Sequence, residues 1–151
     1  MFRIIIRVLG TSITTLAVMM GVCVAQDTST VIIGGTGPTP HLQTVIDGVT
    51  DALSSHGVKV KVNSSDSKSR SIILDEMKTS GNTNLLYLTV NQVKGQRGKL
   101  LAECFVNGSK VWAEDVRGSF MAVSAEGEVR GMLEAINKKI EMHIGSPGLP
   151  K

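Results

Sequence analysis

Two stretches of the chain carry apolar residues at the spacing of an amphipathic helix. The first begins at Thr39-Pro40, ends near Gly57, and has the stripe Leu42, Val45, Ile46, Val49, Ala52 and Leu53. The second runs from about Ser124 to His143 and has the stripe Val129, Met132, Leu133, Ile136 and Ile140. Polar residues occupy the other faces, so each stretch predicts a helix that buries one side.

Shorter segments show the pattern of β-strands. Strands are predicted at 30–33, 58–62, 85–93, 100–106 and 110–117. Asn107-Gly108 separates the last two and is a strong signal for a two-residue hairpin turn. We expect Gly34-Gly35 to end the first strand, and a short helix at 72–78 to end at Gly81.

The resulting order is β-α-β-(α)-β-β-β-α, which predicts an α+β fold. We expect a two-layer sandwich, in which a mixed sheet with one apolar face is covered by helices on that face. The first two strands should be parallel, joined by a right-handed crossover, and the last three should form an antiparallel meander. A single domain is expected over 26–145, followed by a disordered tail at 146–151.

The first 25 residues have the layout of a cleavable export signal. Arg3 and Arg7 precede an uncharged apolar segment at 8–24, and the small residue Ala25 is followed by the polar Gln26. We expect cleavage between Ala25 and Gln26, export to the periplasm, and, as second choice, release to the outside. Two alternatives remain: an uncleaved membrane anchor, although 8–24 is shorter than the roughly 20 residues of a span, and lipid attachment at Cys23.

Removal of this segment changes the charge balance. The chain has 16 basic and 13 acidic residues, and two of the basic residues but no acidic one lie in 1–25, so the mature chain has a formal charge of +1. A nucleic-acid partner is therefore not expected. Membrane contact is expected only through an uncleaved signal segment or through a basic hairpin turn.

The pattern resembles that of exported bacterial envelope domains. It is similar to the amino-terminal domain of TolB and to curli-secretion (CsgG-like) proteins in the strands at 31–35 and 58–62, the helix end at 52–57, and the turn and strand at 107–112. This resemblance implies an α+β fold and a role in assembly or interaction. The long insertions and lipid-bearing cysteine of the secretion pores are absent from the sequence, so a pore is not implied.

One glycine-rich segment is a candidate anion site. Gly34, Gly35, Thr36 and Gly37 stand between a predicted strand and a predicted helix N-terminus, where backbone N–H groups can hold an anion. The segment lacks the lysine of a phosphate-binding P-loop and does not fit G-x-G-x-x-G. A plain turn is the alternative interpretation.

A second candidate is the basic turn formed by Lys94, Arg97 and Lys99. Such a turn is either simply solvated or in contact with anionic lipid or polysaccharide.

The remaining reactive residue types form no recognisable site. His41, His56 and His143 lack metal-ligand spacing, and there is no G-x-S-x-G motif, so no metal, cofactor or catalytic residue is predicted. Cys104 is the only cysteine after cleavage, which excludes an intramolecular disulfide, and we expect it to pack in the core.

Three further positions have two interpretations each. Trp112 is either a core anchor or an exposed hot spot for binding. Asn63 and Asn107 begin N-x-S sequences, which are glycosylation acceptors in a eukaryotic secretory route and ordinary loop residues otherwise.

The sequence thus predicts an exported, non-enzymatic binding or assembly module of the cell envelope. It would engage an envelope protein through a sheet edge or through the sheet face away from the helices. The alternative is a small ligand-binding or hydrolytic domain with its site at the loop 34–40. The oligomeric state is left open.

Overall fold

The structure, a computed structural model, describes residues 25–64, 66–92, 96–119 and 121–151. These residues form β1 (Asp27–Thr36), α1 (Thr39–Ser55), β2 (Lys59–Val62), α2 (Arg70–Ser80), β3 (Asn82–Asn91), β4 (Lys99–Val106), β5 (Ser109–Arg117) and α3 (Ala125–Glu141). The predicted α+β class and element order are confirmed. The expected signal segment, apart from Ala25, lies outside the described residues.

The sheet is mixed and has the strand order β2-β1-β3-β4-β5. β1 pairs in parallel with β2 and β3, whereas β3, β4 and β5 form an antiparallel meander. The hairpin turn between β4 and β5 has positive φ at both Asn107 and Gly108, as a type I′ turn requires.

The two long helices α1 and α3 cover one face of the sheet, which we call the helix face. Their stripes pack on alternate residues of the central strands, among them Val31, Ile33, Leu86 and Leu88, which are fully buried. Ser124 caps α3, because its side chain accepts a hydrogen bond from the backbone N–H of Gly127. This layer is the sandwich that the sequence predicts.

The third helix, α2, lies on the other side of the sheet, which we call the opposite face. Ile73 and Met77 of α2 pack there against Ile32, Leu85 and Tyr87. The expectation of a single apolar sheet face is therefore corrected, because the central strands β1 and β3 are apolar on both sides. α2 lies over β1 and β3 and reaches β4 through Arg70, but it does not extend to β5, so it covers only part of this face.

The C-terminal tail is ordered, contrary to the prediction for 146–151. Leu149 is fully buried in the core beneath the helix face, and its carbonyl oxygen accepts a hydrogen bond from Gly145 N at 2.8 Å. Gly148 has a φ of 96° and lies so close to the Cys104 side chain that a Cβ would stand 2.3 Å from Sγ. The tail thus closes the core at the end of α3.

None of the three helices in these ranges combines the length and apolar content that a membrane crossing requires.

Candidate functional site

The glycine-rich segment is part of a strand rather than a loop. Gly34, Gly35 and Thr36 belong to β1 and pair with residues 87–89 of β3. Gly37 follows the strand, and its N–H donates to Ser67 Oγ at 3.3 Å. Three of the four residues predicted to form a loop thus lie in a strand, and anion binding at Gly34, Gly35, Thr36 and Gly37 stays a prediction.

The basic turn is only partly described. Lys94 lies outside the described residues, and Arg97 is exposed. Lys99 is the first residue of β4, and its Nζ lies 3.4 Å from Asp115 Oδ2. Contact of Lys94, Arg97 and Lys99 with an anionic surface stays a prediction.

Cys104 packs in the core, as predicted. The side chain is fully buried. Burial disfavours the charged thiolate and raises the pKa of the thiol to about 12. A thiol in that state is a poor nucleophile.

His41, His56 and His143 are not brought together. Within the ranges that the structure describes, no group of three His, Cys, Asp or Glu side chains is arranged to hold a metal ion. A cavity of about 260 Å³ next to α2 includes Leu74, Met77, Asn82 and Thr83 in its wall, and no carboxylate, cysteine or histidine is among its lining residues. The one titratable side chain among its lining residues is that of Lys78.

A polar cluster that the sequence did not reveal lies on the helix face at β5. The rings of Trp112 and His143 are stacked, with centroids 4.2 Å apart and an angle of 6° between the planes. His143 Nε2 donates to Glu114 Oε1 at 3.0 Å, and Lys139 Nζ lies 3.4 Å from Glu114 Oε2. Hydrogen bonding from His143, followed by the nearby Lys139, lowers the pKa of the Glu114 carboxyl below its usual range.

The same cluster reaches the backbone of the strand. Lys139 Nζ donates to the carbonyl oxygen of Asp115 at 3.0 Å. Trp112 Nε1 is buried and has no hydrogen-bond partner among the described atoms. Trp112 is half-buried and packs against the core, so the core-anchor interpretation of this residue fits its position.

The two outer strands of the sheet differ in how open they are to pairing. β2 has four residues, and its two lysines, Lys59 and Lys61, are exposed. Short length and exposed lysines are the usual protection of an edge strand. β5 has nine residues, and the exposed fraction of Val111 is 44%. Within the described residues, the outer side of β5 pairs with no strand. We call this outer side the β5 edge.

The opposite face beside the β5 edge is also uncovered. Ala113 and Asp115 are exposed there, because α2 does not extend over β5. Next to them on β4, Glu103 forms two ion pairs. Its Oε1 lies 3.3 Å from Lys110 Nζ, and its Oε2 lies 3.9 Å from Arg70 Nη1. The β5 edge and this strip of sheet face form one continuous accessible surface.

Comparison with known proteins identifies no family for this chain. No family model matches the chain, and no curated protein matches it. Among solved structures, a PelC variant dodecamer from Paraburkholderia phytofirmans is similar, with 12% sequence identity over 74% of this chain and 86% of that chain and a TM-score of 0.47. A likeness of this size carries no argument about function.

Proposed function

We propose that this protein is an exported, non-enzymatic binding or assembly module of the cell envelope, and that it binds a protein partner by adding a strand at the β5 edge. The observation that carries the proposal is the nine-residue strand β5, whose outer side has no partner strand within the described chain. A long open edge is a template for pairing with another chain.

Strand addition suits this edge chemically. Backbone hydrogen bonds would supply the affinity, and alternate side chains would supply the specificity. On the opposite face these side chains are Ala113, Asp115 and Arg117, all exposed. The small side chain of Ala113 lets a second strand approach. The charged side chains of Asp115 and Arg117 favour a partner strand that carries the opposite charges at the facing positions.

The envelope setting of the proposal comes from the sequence. The basic and then apolar segment before Ala25 supports export. Asp27 is the first residue of β1, and its N–H donates to the carbonyl oxygen of Gly81 at 2.8 Å. Cleavage before Gln26 would leave this strand intact.

The alternative of a ligand or hydrolytic site at 34–40 has no specific observation in its favour. Gly34 to Thr36 are paired within the sheet, and the N–H of Gly37 is bonded to Ser67. These backbone groups are therefore not directed at a common binding point.

Photo-crosslinking in the native cells tests the proposal. A photoreactive amino acid is placed at Ala113, on the β5 edge, and in a matched variant at Asp51, which is exposed on α1. We expect a discrete crosslinked product from position 113 and none from position 51. Equal crosslinking at both positions, or none at 113, would contradict the proposal.

A further inference from the structure

We infer that the partner at the β5 edge is a second copy of this chain, paired antiparallel about a two-fold axis at Ala113. The inference rests on the proposed function, because it uses the same edge. It assigns an occupant to that edge, and the sequence left the oligomeric state open.

The register follows from which side chains would face one another. In a two-fold antiparallel pair, residues directly opposite must point to the same face, so the axis must pass through a residue rather than between two. An axis at Glu114 or at Asp115 would set two carboxylates directly against each other. An axis at Trp112 would bring two indoles together and disturb the stack that each makes with His143.

An axis at Ala113 avoids these conflicts. Two small, exposed alanine side chains then meet at the centre. Trp112 faces Glu114 of the second copy. β5 has a bulge at Val111, which turns that side chain to the helix face beside Gly148, so Lys110 takes the position that faces Asp115 of the second copy.

The charges beside this centre are self-complementary. Asp115 already lies 3.4 Å from Lys99, and Lys110 lies 3.3 Å from Glu103. In the Ala113 register, Asp115 of one copy comes beside Lys110 of the other. Positive and negative side chains then alternate across the contact: Lys99 and Asp115 of one copy are followed by Lys110 and Glu103 of the other. Such alternation favours one register and one partner.

Lys139 competes with this pairing. Its Nζ donates to the carbonyl oxygen of Asp115, which an incoming strand would need. The same ammonium lies 3.4 Å from Glu114 Oε2, so it can keep an ionic partner when the carbonyl is taken. Pairing therefore has to displace this hydrogen bond, and removal of the Lys139 donor should strengthen the association.

The test is the association state of the purified protein, measured by sedimentation equilibrium over a range of concentrations. We expect a monomer–dimer equilibrium. Ala113→Lys and Ala113→Glu should each weaken dimerisation by about tenfold or more, since each sets like charges opposite one another. A mixture of the two variants should restore it, because the contact then joins opposite charges. Ala135→Lys, on an exposed position of α3, is the matched control and should change nothing.

The remaining outcomes are equally decisive. Lys139→Met should strengthen dimerisation, and it tests the register even where an Ala113 variant fails to fold. A monomer at all concentrations, a dimer that is insensitive to both Ala113 variants, or a mixture that does not recover would overturn the inference. If the purified protein is monomeric while position 113 crosslinks to a different envelope protein, the inference fails and the proposed function stands.

Discussion

At Gly35 the backbones of the two central strands β1 and β3 lie so close together that no side chain fits between them. It pairs with Leu88 of β3, and a Cβ at this position would stand 2.1 Å from the carbonyl oxygen of Leu88. Since the conflicting atom belongs to the backbone, it cannot rotate away. We expect Gly35→Ala to lower the free energy of unfolding by about 2–3 kcal/mol, as measured by urea denaturation.

Gly131 provides the matched control for that substitution. It lies in α3, is exposed, and has open space around the position of a Cβ. Gly131→Ala should raise the free energy of unfolding by about 0.5–1 kcal/mol, because alanine loses less backbone entropy in a helix. Equal effects of the two substitutions would refute the close approach of β1 to β3.

Glu114 should make stability depend on pH in the acid range. Hydrogen bonding from His143 lowers the pKa of this carboxyl in the folded state below its ordinary value of 4.5. The group therefore stabilises the fold above that value, and the contribution is lost as the pH falls through the lowered pKa. Between pH 6 and pH 3, the wild type should lose more free energy of unfolding than Glu114→Gln.

Glu126→Gln is the control for this comparison, since Glu126 is an exposed carboxylate in the first turn of α3. Its urea-denaturation profile against pH should run parallel to that of the wild type. A Glu114→Gln variant that declines as steeply as the wild type would show that the His143 contact does not bias the carboxyl.

At the scale of elements, the long helices and the hairpin could be predicted, whereas the full length of the first strand could not. The stripes of α1 and α3 and the Asn107-Gly108 turn depend on local pattern alone. Gly34-Gly35 resembles a strand end in sequence, yet β1 continues through both residues. The glycines are there because Ile73 lies close to Gly34 and the backbone of β3 lies close to Gly35. These contacts are with residues distant in sequence, so the local sequence pattern around Gly34-Gly35 does not reveal them.

The candidate site was predictable only in outline. A sheet edge or open face follows from the element order, but the sequence does not say which edge is the open one. The cluster at Glu114 joins residues that are 29 positions apart, from β5 and from the turn after α3. The side of the sheet that α2 covers was equally hidden, since a helix of 11 residues has only a short stripe.

The C-terminal tail is the element for which composition misleads most. Its glycines and prolines indicate disorder, whereas Leu149 fills a place in the core. We expect Leu149→Ala to lower the free energy of unfolding by about 2–4 kcal/mol, because it removes buried methyl groups and leaves a cavity. Thermal denaturation followed by circular dichroism would measure the change.

Deletion of Lys151 alone is the control for the tail, because that residue is exposed. It should leave the midpoint of unfolding where it is. A Leu149→Ala variant as stable as the wild type would mean that the tail does not occupy the core in solution, and the sequence-based expectation of disorder would then be right.

At the scale of the whole molecule, the described residues leave one long strand edge open for pairing. α1 and α3 cover the helix face, α2 covers part of the opposite face, and β2 is short and lysine-bearing. The open remainder is the β5 edge with the adjoining strip of sheet. The N-terminus of β1 lies beside Gly81, so removal of a preceding segment need not disturb the β5 edge.

Export with cleavage is the prediction that concerns the whole chain. When the full sequence is expressed in a bacterium with an export pathway, the protein recovered from the periplasmic fraction should begin at Gln26, as intact-mass measurement and N-terminal sequencing would show. Ala25→Lys removes the small residue that the cleaving peptidase requires and should leave an uncleaved precursor with the membranes. Glu126→Gln should be processed as the wild type. Recovery of full-length protein in the cytoplasm would contradict the envelope location in the proposed function. Strand addition at the β5 edge would then concern a partner in the cytoplasm.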